Sequence, residues 1–232
     1  MDYLYILFLL TFLMTLVVQV RVSTTFRRYS HIHAGRGKSG YEVARRILDA
    51  HGLFDVRVER VHGHLTDHYD PRARVLRLSE SVYDSASPSA VGVAAHEVGH
   101  AIQHAENYAP IRWRTKLVPV VNFASRFSWI AIILGIMIMY TSDILGSYVV
   151  TAGIIMFAAT TLFHLVTLPC EFNASRRALA ELELCGWYSG EELVMSKRVL
   201  RAAAMTYVAA LAMSFIQLLR LIAILGDRRE RN

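Results

Sequence analysis

The stretch "AAHEVGHAIQHAENYAP" at residues 94–110 places His96 and His100 four apart around Glu97. On a helix, residues four apart are rotated by roughly 40° and separated by about 6 Å along the axis, so both imidazoles can aim a nitrogen at one point. That is the geometry of two zinc ligands. Glu97 is turned off the ligand line, so it can handle a proton instead of the metal. A catalytic zinc keeps three protein ligands and one open position, brings a water's pKa to about 7, and needs a carboxylate to take the proton and pass it to the leaving amine. One catalytic Zn2+ is the expected cofactor, with Glu97 as the catalytic base.

HExxH fixes only three positions, so by itself it stands balanced against a helix that merely holds several histidines. Three details tip the balance. The approach "VGVAA" is built of small residues, a strand-like segment lies just upstream, and no aspartate-rich pattern suggests another hard-cation site. Gly99 inside the helix costs about 1 kcal/mol relative to alanine, which implies a close-packed neighbour on that face.

The third ligand must come from elsewhere. The metzincin extension would require glycine at 103 and histidine at 106, where this chain has Gln103 and Glu106. His104 drifts off the line of His96 and His100, as a residue behind the ligands or on the surface. The remaining choices are a carboxylate or histidine on the same membrane side, and "CEFNASRRALAELE" offers Glu171, with Asn173 and Ser175 as candidates for orienting ligands by hydrogen bonds.

The elements that must position these residues are partly apolar. The 232-residue chain is 54% hydrophobic with a mean hydropathy of +0.33, which puts part of it in lipid. Its net charge of +6 and pI near 9.5 do not point to nucleic acid, because the arginines are spread along the chain without a recognisable binding module. Cys170 and Cys185 have neither CxxC spacing nor a disulfide framework to join and read as reduced thiols.

Tyr3 to Val20 is uncharged and about as long as a bilayer core requires. Arg21, Arg27 and Arg28 follow it, which predicts a first transmembrane helix with the next segment in the cytoplasm, and not a cleaved signal. "RRYSHIHAGRGKSG" reads as a linker. Gly40 to His51 has helical spacing with Gly52 as a stop, "FDVRVERV" and "ARVLRLSESVY" alternate as strands, and "HYDPRA" is the turn between them. Phe127 to Pro169 is apolar with a break around Asp143, a hairpin crossing out and back with no Lys or Arg in its outer turn. Two crossings return Glu171 to the side of His96 and His100. The last apolar run, Ala202 to Leu225, can span, but it holds Arg220 and leads into the basic tail "GDRRERN", so three and four spans both fit the pattern.

"HEVGHAIQ" followed, after a hydrophobic hairpin, by "CEFNASRRA" resembles the YugP-type zinc metallopeptidases, membrane proteins of bacteria; "LTDHYDP" and "VLRLSESVY" are similar to that family's pattern as well. The resemblance runs from Tyr41 to about Leu182. More distantly the layout is similar to the HtpX and Ste24 membrane proteases, where an ExxAD-like motif after two further spans completes the site; the position of its final aspartate holds Ser175 here. The resemblance implies a gluzincin-like endopeptidase with His96, His100 and Glu171 on zinc. In such proteases a strand before the HExxH helix takes an extended peptide along its edge, which predicts that role for "ARVLRLSES". His68 or Tyr69 in "DHYDP" are candidates for the oxyanion donor, against the plainer reading of Asp70 and Pro71 as an ordinary turn and Asp67 as a cap.

The expected fold is a membrane-anchored α+β protein, mainly helical, with a zincin-like (gluzincin) catalytic domain and three to four transmembrane helices. Its expected parts are an N-terminal transmembrane helix at 1–22, a cytoplasmic zincin-like region at 23–126, a transmembrane hairpin at 127–168, a cytoplasmic helical segment with the third ligand at 169–201, and an apolar helix with a basic tail at 202–232. The expected function is hydrolysis of peptide bonds in protein substrates at the cytoplasmic face of the bacterial inner membrane. Partners would be the substrate, the bilayer, and a membrane protein partner or a second copy. The alternative is a non-enzymatic adaptor with a structural or lost zinc site, which has no use for Glu97. An intramembrane protease is disfavoured because no apolar stretch of about 20 residues contains the motif. Transport is disfavoured because Arg220 is the one charge inside the apolar runs.

Overall fold

The computed structural model describes residues 2–34 and 37–230, without the side chains of Asp2 and residues 227–230; Gly35 and Arg36 of the linker and the end of the basic tail lie outside the described residues. The chain is mainly helical, with a small sheet. In order it forms α1 (Asp2–Ser30), α2 (Gly40–Ala50), β1 (Arg57–Val61), β2 (His68–Asp70), β3 (Val75–Ser79), α3 (Glu80–Tyr83), α4 (Pro88–Ala105), α5 (Ala109–Ile138), α6 (Asp143–Leu184) and α7 (Gly190–Glu230).

Among the described residues, four helices, α1, α5, α6 and α7, are long and apolar enough to cross a membrane. Their apolar side chains face outward: Ile6, Val17, Ile133, Ile155 and Ile222 are each at least half exposed, an arrangement that water would penalise and lipid would not. These helices exceed the apolar runs that mark them. α5 starts eighteen residues before Phe127, where the apolar run begins, because the backbone ladder from Ala109 continues through polar residues such as Arg112 and Arg114. α6 likewise runs through Pro169 to Leu184, so Glu171 lies well inside a helix.

Two compact units divide the chain, one made of residues 1–17, 112–168 and 207–232, the other of 18–111 and 169–206. The second unit carries the sheet, α4 and the part of α6 that holds Glu171. Its core joins Ile47 and Leu48 of α2, Leu76 and Leu78 of β3, Val91 and Val98 of α4, and Leu182 of α6, all essentially buried. Each such side chain contributes about 1.5–3 kcal/mol by leaving water.

Local chemistry explains the element ends. Ser39 and Glu42 form a reciprocal capping box at the start of α2, and Gly52 takes the positive φ of 70° that ends its turn. At α4 the Ser87 hydroxyl accepts the Ala90 N–H at 3.2 Å and Pro88 occupies the first turn, where its missing N–H costs nothing.

The sheet has the order β1-β3-β2, with β1 parallel and β2 antiparallel to β3. Two expectations are corrected here. His68–Asp70 is a third strand, so the turn shrinks to residues 71–74, where Asp70 Oδ1 accepts the N–H groups of Arg72 and Ala73. The segment "ARVLRLSES" cannot lend its edge to a peptide, because β3 is paired on both sides; the edges belong to β1 and β2. Asp67 is structural, as one reading had it: its carboxylate accepts the Ser79 N–H at 2.7 Å and the Ser79 hydroxyl, joining the strand end to α3.

Candidate metal centre

His96 and His100 sit one turn apart on α4 with ring centroids separated by 4.8 Å, and both reach toward Glu171 of α6. The His96 Nε2 is 3.2 Å and the His100 Nε2 3.6 Å from the same carboxylate oxygen, Glu171 Oε2. One ligand atom from each of the three residues lies within 4.8 Å of the others. The Glu171 side chain is 1% exposed and the imidazoles 14% and 10%. Two imidazole nitrogens and a carboxylate converging in a largely dry site fit a catalytic zinc: the donor types and their number are right, and three ligands leave the fourth position for water or substrate. A structural zinc would close all four.

The close approach of the two helices depends on Gly99. A Cβ built there would stand 2.8 Å from the Ala174 carbonyl oxygen, closer than real Cβ atoms pack, and 3.2 Å from its Cα, tighter than most. The neighbour implied by this in-helix glycine is therefore the α6 backbone, three residues past Glu171.

Behind the imidazoles runs a hydrogen-bond chain. The His100 Nδ1 meets Gln103 Oε1 at 3.0 Å; Gln103 Nε2 donates to the Cys170 carbonyl at 2.8 Å and to Asn173 Oδ1 at 2.9 Å. Asn173 Oδ1 also accepts from Arg177 Nε at 2.8 Å, and Arg177 donates on to Glu106 at 2.6 Å. That contact draws the exposed Glu106 carboxyl below its ordinary range, mainly through the hydrogen bond itself. His96 has a different support, the Ser175 hydroxyl 3.2 Å from its Nδ1. Of the residues named from the sequence, Ser175 meets His96 directly and Asn173 meets Gln103, a residue the sequence did not single out. The available signal for Gln103 was its place three residues after His100, on the same helical face.

Glu97 stands beside the sheet, its carboxylate accepting the backbone N–H of Tyr69 in β2 at 3.1 Å. The Tyr69 ring packs near His104, with centroids 5.7 Å apart, and burial raises its phenol above the usual value. His104 thus lies against Tyr69 of β2 and is not one of the three residues that converge. His68 is engaged on both ring nitrogens, Nδ1 with the Thr66 carbonyl at 2.8 Å and Nε2 with Arg77 at 3.3 Å. Cys170 is buried and Cys185 partly so, and neither is in a disulfide.

Comparisons with known proteins place the chain as a whole. A family model described as "Putative neutral zinc metallopeptidase" matches residues 4–226. The chain is 48% identical over 214 residues to the "Putative membrane protease YugP" of Bacillus subtilis (strain 168), covering 92% of each chain. No solved structure matches it significantly. A match across nearly the whole chain, with a curated relative at that identity, leaves one assignment: the chain belongs to this family of neutral zinc metallopeptidases, the one that includes the YugP-type membrane proteases.

Proposed function

We propose that the protein is a membrane-anchored, gluzincin-type zinc endopeptidase whose site faces the cytoplasm. His96, His100 and Glu171 hold the metal, and Glu97 is the general base. The single observation that carries this reading is the convergence of two helical imidazoles and a buried carboxylate from a distant helix within 4.8 Å. When bound, zinc supplies Lewis acidity that polarises the scissile carbonyl and brings a coordinated water's pKa to about 7. Glu97 then takes the proton from the attacking water and delivers it to the leaving amine. The Tyr69 N–H holds the Glu97 carboxylate in place for that transfer.

An extended peptide would add along the outer edge of β2, the strand whose backbone reaches the base, in place of the β3 edge that its neighbours close. For the oxyanion we favour Tyr69 over His68, whose two ring nitrogens are engaged. Basic residues at the ends of the apolar helices, Arg27 and Arg28 among them, support the cytoplasmic orientation. Zincin-like domain character for residues 23–126 and 169–201 belongs to the same proposal. An adaptor built on a structural zinc would gain nothing from a carboxylate held beside the ligands.

The test uses Glu97→Gln in the full-length protein, purified in detergent, with casein as substrate and metal content measured in parallel. Zinc should remain stoichiometric while turnover falls by at least a factor of about 100, the lower end for loss of a general base. Turnover at the wild-type rate in this variant would remove Glu97 from the mechanism.

A further inference from the structure

The hydrogen-bond chain behind His100 has only one self-consistent direction, and that direction ends on the metal side of the ring. Arg177 can only donate, so the atom of Asn173 that faces it must be the amide oxygen. The same Asn173 oxygen faces Gln103, and the Cys170 carbonyl, which can only accept, faces the same end of Gln103. Both contacts demand the Gln103 NH2 group at that end. Its carbonyl oxygen is then presented to His100 Nδ1, which must carry the hydrogen. The His100 lone pair is left on Nε2, the nitrogen directed at Glu171. His96 lacks such a constraint, because its partner Ser175 can donate or accept.

We propose that Gln103 is a positioning residue that locks His100 in its metal-binding tautomer, and that the Arg177–Glu106 pair, by fixing the Asn173 oxygen, reinforces from outside the site the polarity that the Cys170 carbonyl imposes. The inference rests on the zinc reading of His96, His100 and Glu171. Its control point is accessible: Glu106 is half exposed and Arg177 one-quarter exposed at their side chains, while Gln103 is fully buried. Glu106 acts by holding the guanidinium against Asn173. The surface pair can therefore change without opening the core, and its effect reaches the metal through two amides. Partners that orient a ligating histidine typically govern metal affinity by about 10–100-fold.

Reversing the pair separates polarity from simple attraction. In the double variant E106R/R177E the ion pair can re-form, but the carboxylate that replaces the guanidinium cannot donate to the Asn173 oxygen. If Asn173 turned to offer its NH2, it would face the NH2 that the Cys170 carbonyl holds at that end of Gln103, and only a turn of Gln103 would restore that contact. Its oxygen would then oppose the Cys170 carbonyl and its NH2 would meet His100 Nδ1, leaving the hydrogen on Nε2. A structural role for the pair predicts rescue by the swap; a polarity role predicts none.

The experiment is a zinc competition titration against a chromophoric chelator on the full-length protein in detergent, with melting temperatures recorded alongside. The set is wild type, His100→Ala, Arg177→Gln, Gln103→Met, Ser175→Ala and the E106R/R177E swap. The expected result is at least about tenfold weaker zinc binding in Arg177→Gln, Gln103→Met and the swap, less than about threefold in Ser175→Ala, and little change in melting temperature for Arg177→Gln. Arg177→Gln is the arm that stays interpretable if the buried Gln103→Met fails to fold. Wild-type affinity in Arg177→Gln, or recovery in the swap, overturns the proposal and leaves the zinc reading intact. Zinc binding as tight in His100→Ala as in wild type overturns both.

Discussion

Replacing Gly99 by alanine tests whether the contact between α4 and α6 sets the ligand distances. The added Cβ would lie 2.8 Å from the Ala174 oxygen, 3.2 Å from its Cα and 3.3 Å from its carbonyl carbon. Ordinary contact begins near 3.4 Å, and all three atoms are backbone, so no rotamer change relieves the clash. The helices must part by about half an ångström, a magnitude at which a functional constellation loses its productive geometry. Overpacking costs about 1–3 kcal/mol, and Gly to Ala inside a helix returns about 1 kcal/mol, so the net loss is about 0–2 kcal/mol and the protein stays folded. The metal site should suffer more, because His96 and His100 flank Gly99 and Glu171 lies one turn from Ala174. Zinc distances tolerate about 0.2 Å, so affinity should fall at least about tenfold. Gly92→Ala on the same helix is the control. Its nearest contacts would be Ser196 side-chain and backbone atoms at 3.3–3.6 Å, so it should gain helix stability and keep its zinc. The assay is zinc competition together with thermal melting of both variants. Wild-type zinc affinity in Gly99→Ala, with a melting temperature unchanged, would refute the idea that this backbone contact positions Glu171.

Other outcomes follow from the same geometry. On the proposed roles, Glu171→Ala should lower zinc occupancy in a metal-content measurement while Glu97→Gln does not, since only the former would remove a ligand. Stripping zinc with a chelator should lower the melting temperature, and zinc returned at about 1,000 times its Kd should restore about 4 kcal/mol of stability. Ser39→Ala removes half of the capping box of α2 and should cost about 1 kcal/mol in thermal melts. Asp67 is raised above the usual aspartate value because burial outweighs its bonds from Ser79. A raised folded value means stability that is present below the unfolded pKa and lost as pH rises through the folded one. Asp67→Asn should therefore flatten the melting temperature's dependence on pH just above the ordinary aspartate range.

The grouping of His96, His100 and Glu171 was legible because its signals are local or topological. His96, Glu97 and His100 share one helix, and an apolar hairpin read as crossing out and back leads to Glu171. The start of α5 at Ala109 and the passage of α6 through Pro169 were not legible, since hydropathy reports where lipid ends and not where the backbone ladder ends. β2 was hidden for another reason. "HYD" has three residues of turn-like character, and it becomes a strand only by pairing with β3 across residues 71–74. Gln103 looked like a failed metzincin position because its role depends on Cys170 and Asn173, more than sixty residues away.

The brevity of β2 bears on what such a protease would accept. A three-residue edge offers a visiting chain very few main-chain hydrogen bonds, each worth about 1 kcal/mol net. Contact energy of that size holds a substrate only at high local concentration. A membrane supplies it: confining enzyme and substrate to one surface converts weak docking into frequent encounter without any added contact. Selection would then come chiefly from residence in the same bilayer, with sequence read lightly. The same catalytic unit, given an identical peptide free in solution and tethered to a vesicle, should strongly prefer the tethered one.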